Sequence, residues 1–167
     1  MKIFDCFMFF DEDQVLDLRL NVLNEYVDYF VIVESIYNHK GEKRNLLFNK
    51  NKYKDFSNKI IYLIYDEIPN SVKEVEKKDS KLTQDYKYIM NALYRENSQR
   101  NFILEGLKGA DDNDIILISD VDEIPKLNIN TLKNIKNEIL IFKQDMFYYK
   151  FNLCLPHFKW TGTKGVK

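Results

Sequence analysis

Four short runs of apolar and aromatic residues punctuate the first part of this chain. They span residues 3–10, 29–34, 59–65 and 114–119. Their continuous apolar character and their β-branched and aromatic side chains are typical of strands that are buried on both faces of a sheet. An acidic residue stands at or directly after the end of each run. The pattern therefore predicts four inner strands whose carboxyl ends carry carboxylates.

Two segments between these strands have the apolar spacing of amphipathic helices. The first begins in the acidic segment Asp11–Asp13, and its apolar positions are Val15, Leu16, Leu18, Leu20, Leu23 and Tyr26. The second covers Ser80 to Leu107 and ends at Gly109. We expect its apolar stripe to face the core, and this stripe contains Leu82, Tyr86, Ile89, Met90, Leu93, Leu104 and Leu107.

The last part of the chain is less regular. A short helix is predicted from Asn130 to about Lys136, followed by strands at Ile139–Lys143 and Phe147–Leu153. Pro156 is expected to end the second strand, because proline cannot donate a hydrogen bond to a sheet. Residues Trp160–Gly165 are rich in threonine and glycine and are predicted to form a loop.

Strands that alternate with helices predict an α/β protein, a three-layer sandwich with a mostly parallel central sheet. The 167 residues are predicted to form one domain, without repeats or linkers. Because the pattern stops in a predicted loop with no closing helix or strand, we expect the fold to be incomplete at its carboxyl end.

Composition narrows the class of function. Hydrophobic residues make up 45% of the chain, as in ordinary globular proteins, and the net charge of −1 argues against nucleic acid as a partner. With no apolar run of membrane-spanning length and no signal peptide, we expect a cytoplasmic protein without a transmembrane segment. Cys6 and Cys154 lack the spacing of a zinc site and are expected to be buried and reduced.

Asp120 and Asp122 are the strongest candidates for chemistry. They directly follow a predicted buried strand, and Pro125 prevents a helix from starting over them. In an extended segment both side chains would point to the same side, where their mutual repulsion favours a cation between them. A hard divalent ion with a diphosphate in its shell suits these oxygen ligands. The alternative is an acidic turn that caps the helix at Asn130.

Arg100 supports the first interpretation. It lies on the same predicted helical stripe as Leu93 and Leu104, where a buried charge requires a partner. Arg100 is therefore expected to point at the acidic site or at a diphosphate, or to form a structural ion pair with Asp120 or another carboxylate, and the two roles are compatible.

The sequence resembles glycosyltransferase family 17 in segments spread over nearly the whole chain. The most specific matches are the strand end Val33-Glu34-Ser35 and the acidic motif Ile118–Pro125. The remaining matches are Phe9–Glu12, Leu16–Leu20, Val27–Ile32, Arg95-Glu96, Gln99-Arg100, Phe147–Tyr149 and Trp160–Thr163.

This resemblance implies a GT-A fold and the inverting transfer of a sugar, N-acetylglucosamine, from a UDP-sugar donor to a carbohydrate acceptor. By the same analogy Asp122 would bind the Mn²⁺ or Mg²⁺ ion, and Asp120 would bind the ribose or the metal and its water. Glu34 and the ends of the first two strands, with Phe10 and Asp11, would hold the nucleoside.

The catalytic base is left open at this stage. An inverting transfer needs a base near the acceptor hydroxyl, and the candidates are Glu123, Asp145 and Asp66. Asp145 is preferred because it lies at a predicted turn between strands, downstream of the acidic motif.

Two other interpretations compete with a glycosyltransferase. A sugar-nucleotide nucleotidyltransferase would want a glycine- and lysine-rich phosphate loop, where this chain has the acidic segment Phe9–Asp13. A truncated, catalytically silent fragment that binds a nucleotide sugar or a protein partner is the second alternative, and the predicted loop at the end of the chain motivates it.

Overall fold

The computed structural model describes residues 1–135, 139–150 and 152–167, which form an α/β domain. Its strands and helices, in chain order, are β1 (Ile3–Phe9), α1 (Asp13–Leu23), β2 (Tyr29–Ser35), β3 (Ile60–Tyr65), α2 (Lys81–Asn101), β4 (Ile115–Ser119), α3 (Ile129–Lys133), β5 (Leu140–Phe147) and β6 (Cys154–Val166). Short 3₁₀ helices lie at Lys54–Phe56 and Phe102–Leu107. In the described part of the chain, no helix is long and apolar enough to cross a membrane.

One six-stranded mixed sheet holds the domain together, in the order β3-β2-β1-β4-β6-β5. The four predicted strands are confirmed as parallel neighbours, but β3 lies at the edge of the sheet and is only partly buried, so it is not an inner strand as predicted. Strand β6 runs antiparallel to both β4 and β5. Phe9 at the end of β1 is in register with Glu34, and Phe7 is in register with Ser119. The carboxyl ends of β1, β2 and β4 therefore meet at one edge.

Apolar side chains are buried on both faces of the sheet, as the continuous apolar runs predict. On one face, α1 and α3 pack against alternate strand residues; this cluster includes Phe7, Phe9, Leu16, Leu20, Phe30, Ile32, Leu117 and Leu132. On the other face, the 3₁₀ helix Phe102–Leu107 covers the intervening residues; this cluster includes Phe4, Cys6, Val31, Val33, Tyr65 and Ile103.

The prediction for the last segment is wrong. Residues Trp160–Gly165, predicted as a loop, belong to β6, an inner strand of the sheet. Two glycines fit that strand tightly between its neighbours: a Cβ at Gly162 would lie 1.7 Å from Gln144 Oε1, and one at Gly165 would lie 2.8 Å from Leu117 Cδ2. Small residues thus permit close strand packing here, although they resemble a loop in the sequence.

The boundaries of the elements near β6 also differ from the prediction. The strand predicted at Phe147–Leu153 is wrong, because β5 ends at Phe147 and the chain then turns; Phe151 lies outside the described residues. Pro156 lies within β6 and does not end it. The helix α3 ends at Lys133, and the predicted end near Lys136 lies outside the described residues.

The apolar stripe of α2 does not face the core as predicted. Leu82 is 83% exposed and Ile89 is 69% exposed, and Asn91 is the buried residue of this helix. Packing against the sheet comes from the 3₁₀ helix that follows, where Gly106 sits so close to Val31 that a Cβ would meet it at 2.4 Å. Cys154 is also exposed, contrary to prediction, whereas Cys6 is buried as expected.

Candidate active site

The acidic motif after β4 forms a tight turn, which we call the acidic turn (Asp120–Glu123). The amide of Glu123 donates to the carbonyl of Asp120 at 3.1 Å, and the amide of Ile124 donates to the carbonyl of Asp122 at 3.1 Å. The segment is therefore not extended, and that part of the prediction is wrong. Asp120 and Asp122 are both exposed, while Val121 between them is buried.

Beneath the acidic turn lies Arg19, a fully buried residue of α1. Its Nε and Nη2 atoms donate to the Asp5 carboxylate at 2.7 and 2.6 Å, and Nη2 also donates to Ser119 Oγ at 2.6 Å. Its Nη1 atom donates to three carbonyl oxygens of the turn, those of Asp120, Val121 and Glu123, at 2.9, 3.0 and 3.2 Å. One side chain thus joins α1, β1 and the turn after β4.

Asp120 is paired with Arg100, as the sequence predicts. Arg100 Nη2 lies 2.9 Å from Asp120 Oδ1 and 3.1 Å from Glu96 Oε1, so the guanidinium bridges α2 and the acidic turn. Both side chains of the pair remain partly exposed, at 34% for Arg100 and 54% for Asp120. A positive group therefore stands beside the carboxylates, open to solvent.

Asp122 lies in the least favourable electrostatic environment of the turn. Partial burial raises the pKa of Asp122, a backbone hydrogen bond opposes this in part, and the charges of Asp120, Glu123 and Glu12 raise the pKa further. Ionised Asp122 is thus destabilised by its surroundings. Its carboxylate and that of Asp120 are hard oxygen donors, a donor set that suits a divalent cation.

An open cleft of about 650 Å³ lies between the acidic turn and the β5–β6 hairpin. Its walls include Asp120, Asp122, Glu123, Asp145, Phe147 and Trp160. The structure therefore brings together four of the residues that the sequence identified, although Asp145 comes from a different element. Asp66 does not line this cleft. It follows β3, and β3 and β5 are the first and last strands in the order of the sheet.

The two carboxylates proposed as base candidates in this cleft are both engaged. Glu123 accepts a hydrogen bond from the indole N–H of Trp160 and another, at 3.1 Å, from the Asp120 amide. Asp145 is paired with Lys159, its partner across the β5–β6 ladder. Asp145 lies inside β5 and not at a turn, so the argument that favoured it in the sequence is wrong.

A second group of side chains surrounds the carboxyl end of β1. The Arg44 guanidinium stacks on the Phe10 ring at 4.1 Å, and it donates to the carbonyl oxygens of Phe10 and of Ser35. The His39 ring lies beside Phe10 at an interplanar angle of 28°, with the two ring centroids 6.4 Å apart. Asp11 follows Phe10 and is exposed. We call the three side chains Phe10, His39 and Arg44 the aromatic platform.

Glu34 contacts this platform from the protein interior, through Arg44. Its carboxylate is fully buried and accepts hydrogen bonds from the amides of Leu47 and Phe48, at 2.7 and 3.1 Å, and from Tyr62 Oη at 2.7 Å. Arg44 Nη1 lies 3.1 Å from its Oε1 atom. Glu34 therefore orients Arg44, which is nearer to the surface. Direct contact between Glu34 and a nucleoside stays a prediction.

Comparison with known proteins identifies the family of this chain. The model of glycosyltransferase family 17 matches residues 1–166, which include every residue of the acidic turn, the cleft and the platform. The chain belongs to glycosyltransferase family 17. The resemblance that the sequence motifs indicate is thus confirmed.

Curated relatives of the family 17 chain carry the name beta-1,4-mannosyl-glycoprotein 4-beta-N-acetylglucosaminyltransferase. The human and rat proteins are 28% identical to it over 118 residues, and the mouse protein is 27% identical over the same length. Each alignment covers 68% of this chain and 20% of the relative, so the match spans about one fifth of the relatives' length.

The motif argument did not identify the place of Arg19, His39, Arg44 or Trp160 in the site. A signal for Arg19 existed: it occupies the buried stripe of α1 between Leu16 and Leu23, and Asp5 interrupts the apolar run of β1. Two opposite charges on facing buried surfaces predict an ion pair. Trp160 belongs to the family match Trp160–Thr163, but nothing in the sequence placed it beside the acidic turn, because its strand was not recognised.

Proposed function

We propose that this chain is the donor-binding part of an inverting glycosyltransferase with a GT-A fold. It transfers N-acetylglucosamine from its UDP-sugar to a hydroxyl of a carbohydrate acceptor, with Mn²⁺ or Mg²⁺ at Asp120 and Asp122. The observation that carries this proposal is the acidic turn: two exposed carboxylates at the end of a buried parallel strand, beside an arginine and an open cleft.

The sheet topology supports the position of the donor. Strand order β3-β2-β1-β4 reverses direction at β1, and ligands of open α/β sheets bind in the crevice where the order reverses. The ends of β1 and β4 flank this crevice. The aromatic platform lies on the β1 side and the acidic turn on the β4 side, which suits a nucleotide that extends from its base to its diphosphate.

The acidic turn supplies two carboxylates for the cation that the proposal requires, and no group of three or more such ligands is found among the described residues. Asp120 and Asp122 would hold it, and the repulsion that raises the pKa of Asp122 would be relieved. When bound, a divalent cation supplies Lewis-acid stabilisation of the charge on the leaving diphosphate. Arg100 places a second positive charge next to Asp120, where its guanidinium can bind a phosphate oxygen.

The aromatic platform fits a nucleoside. Phe10 is 38% exposed, and Arg44 and His39 border its ring. A planar base can stack on aromatic and guanidinium surfaces of this kind. Asp11, exposed next to Phe10, is positioned to accept hydrogen bonds from the base or ribose.

The cleft fits the acceptor sugar. Trp160 and Phe147 offer apolar ring surface there, and Glu123 and Asp145 offer carboxylates. One of these carboxylates is the base that removes the proton from the acceptor hydroxyl. Glu123 lies within the acidic turn itself, and its hydrogen bond from Trp160 fixes the orientation of its carboxylate.

A binding module without turnover is the alternative, and one observation favours it. The β5–β6 hairpin exposes large apolar side chains, among them Tyr149 at 95% and Leu155 at 44%. Exposed apolar surface of this extent is typical of an interaction site. Such a module would bind the nucleotide sugar and release no UDP.

Calorimetric titration with UDP and UDP-N-acetylglucosamine, with and without Mn²⁺, tests the proposal. We expect Mn²⁺-dependent binding that Asp122→Ala weakens by about ten-fold or more, as the loss of a metal ligand should. Asp112→Ala is the matched control, since Asp112 is an exposed carboxylate at the opposite end of β4, and it should bind like the wild type. Absent or metal-independent binding in the wild type would refute the donor site. Release of UDP from the sugar nucleotide distinguishes the enzyme from the silent module.

A further inference from the structure

We propose that Arg19 is a positioning residue that sets the geometry of the acidic turn from inside the protein. The inference rests on the proposed function, because it concerns the turn whose carboxylates would hold the cation. Arg19 itself is 0% exposed and lies beneath the turn, so it touches no ligand.

The Arg19 guanidinium donates hydrogen bonds to Asp5 of β1, to Ser119 of β4 and to the acidic turn. Nη1 alone reaches the carbonyl oxygens of Asp120, Val121 and Glu123, within 3.2 Å of each. These bonds turn three peptide carbonyls of the acidic turn inward. The side chains of Asp120 and Asp122 are left on the solvent side, where both are exposed.

A second buried side chain, that of Thr163, also binds the backbone of the acidic turn. Thr163 of β6 is fully buried, and its Oγ1 donates to the Glu123 carbonyl at 2.7 Å. The turn is thus held by α1 through Arg19 and by β6 through Thr163. Its backbone is fixed before any ligand arrives, which reduces the ordering cost of binding.

Stability alone gives little reason for a buried charge at this position. The Arg19–Asp5 pair has both side chains 0% exposed, and burial of two charges carries a desolvation cost that their attraction roughly offsets. Apolar residues of similar volume often replace such pairs without loss of stability. Only an arginine, however, offers several parallel donors to the carbonyls of the turn.

The double variant Asp5→Leu/Arg19→Met separates positioning from folding. It removes both charges together, so no unpaired charge remains, and we expect a cooperatively folded protein. Because the turn loses its donors, Mn²⁺-dependent UDP affinity should fall by about ten- to 100-fold, the range found when groups behind metal ligands are removed.

Trp160 provides a readout that requires neither metal nor activity. It is the single tryptophan of the chain, and its indole N–H donates to Glu123 of the acidic turn. Release of the turn should break this bond and shift the tryptophan emission of the metal-free double variant. The same two measurements on Arg19→Lys, which keeps the charge but loses the fork, should give the same changes in smaller degree.

The matched control is Asp79→Asn/Lys87→Met. It removes another largely buried ion pair, 2.6 Å long, that joins α2 to the preceding segment. Lys87 is about 20 Å from Arg100 along the helix axis, at roughly 1.5 Å per residue. We expect wild-type emission and wild-type UDP affinity from this variant.

Wild-type affinity and emission in a folded double variant would overturn the inference. If the double variant does not fold, Arg19→Lys decides: unchanged affinity and emission overturn the inference, and a loss of both supports it. If the wild type does not bind UDP, the proposed function fails, and the Trp160 emission of the metal-free variants still decides whether Arg19 holds the turn.

Discussion

Asp122 is a residue whose position suits a bound cation but whose charge destabilises the metal-free protein. Burial and the neighbouring carboxylates raise its pKa, so the ionised form is disfavoured in the folded state. A carboxyl group whose folded pKa exceeds its unfolded pKa reduces stability as the pH rises through these values. At neutral pH the charge on Asp122 therefore destabilises the metal-free protein.

Asp122→Asn should consequently leave the metal-free protein with a melting temperature equal to or above that of the wild type. The same substitution should abolish the rise in melting temperature that Mn²⁺ and UDP together produce in the wild type, since bound ligands stabilise the folded state. Thermal denaturation in EDTA and in Mn²⁺ with UDP measures both. A lower melting temperature in EDTA, relative to an Asp112→Asn control, would contradict this electrostatic account.

At the scale of elements, buried carboxylates hold irregular segments against the sheet. Glu34, at the end of β2, accepts the Leu47 and Phe48 amides and the Tyr62 hydroxyl, and it pairs with Arg44. Burial, followed by the hydrogen bond to Glu34, raises the pKa of Tyr62. The segment between β2 and β3 is thus ordered around one charge.

Glu34→Gln should destabilise the protein by about 2 kcal/mol. The amide nitrogen of glutamine would face a donor, and a buried donor left without an acceptor costs roughly 1–3 kcal/mol. Urea denaturation measures the change. Glu42→Gln, an exposed change in the same segment, should stay within about 0.5 kcal/mol of the wild type. A similarly small effect of Glu34→Gln would show that Glu34 does not order the segment.

At the scale of the whole molecule, the start of the sheet is tied by Asp114, just before β4. Its buried carboxylate accepts the amide of Lys2 at 2.6 Å and that of Asp111 at 3.0 Å. Burial alone would raise the pKa of Asp114, but these amides and the charges of Lys2 and the N-terminus outweigh it and lower the pKa. The ionised form therefore stabilises the fold.

Asp114→Asn should reduce stability at pH 7 by about 1–3 kcal/mol, because one amide donor loses its acceptor. A carboxylate with a lowered folded pKa contributes fully above its unfolded pKa, near 3.9, and loses this contribution as the pH falls through the folded pKa. The difference between variant and wild type should thus shrink below about pH 4. Urea denaturation from pH 7 to pH 3 checks this, and a difference independent of pH would exclude the ionic mechanism.

The sequence predicts the parallel half of the fold well. Strands β1 to β4 lie where the apolar pattern places them, within one residue at each end, and α1 ends three residues before Tyr26, the last predicted apolar position. These elements bury both faces or one stripe of their own residues, so their pattern is local. The prediction that the apolar stripe of α2 faces the core was wrong, because periodicity does not show which side of a helix other elements cover. The prediction of a loop at Trp160–Gly165 was wrong, because small residues in a sequence do not show that neighbouring strands pack against them.

For the candidate site, sequence and tertiary structure contribute different parts. The sequence by itself determined the acidic motif and the family, since both depend on residue type and spacing, and it offered Asp120 as one possible partner of Arg100. Tertiary structure alone decided that Arg19 underlies the turn, that Asp145 shares its cleft and that Glu34 is buried in a ladder of donors. Those contacts join residues far apart in the chain, and only the packing of strands around β1 and β4 brings them within hydrogen-bonding distance.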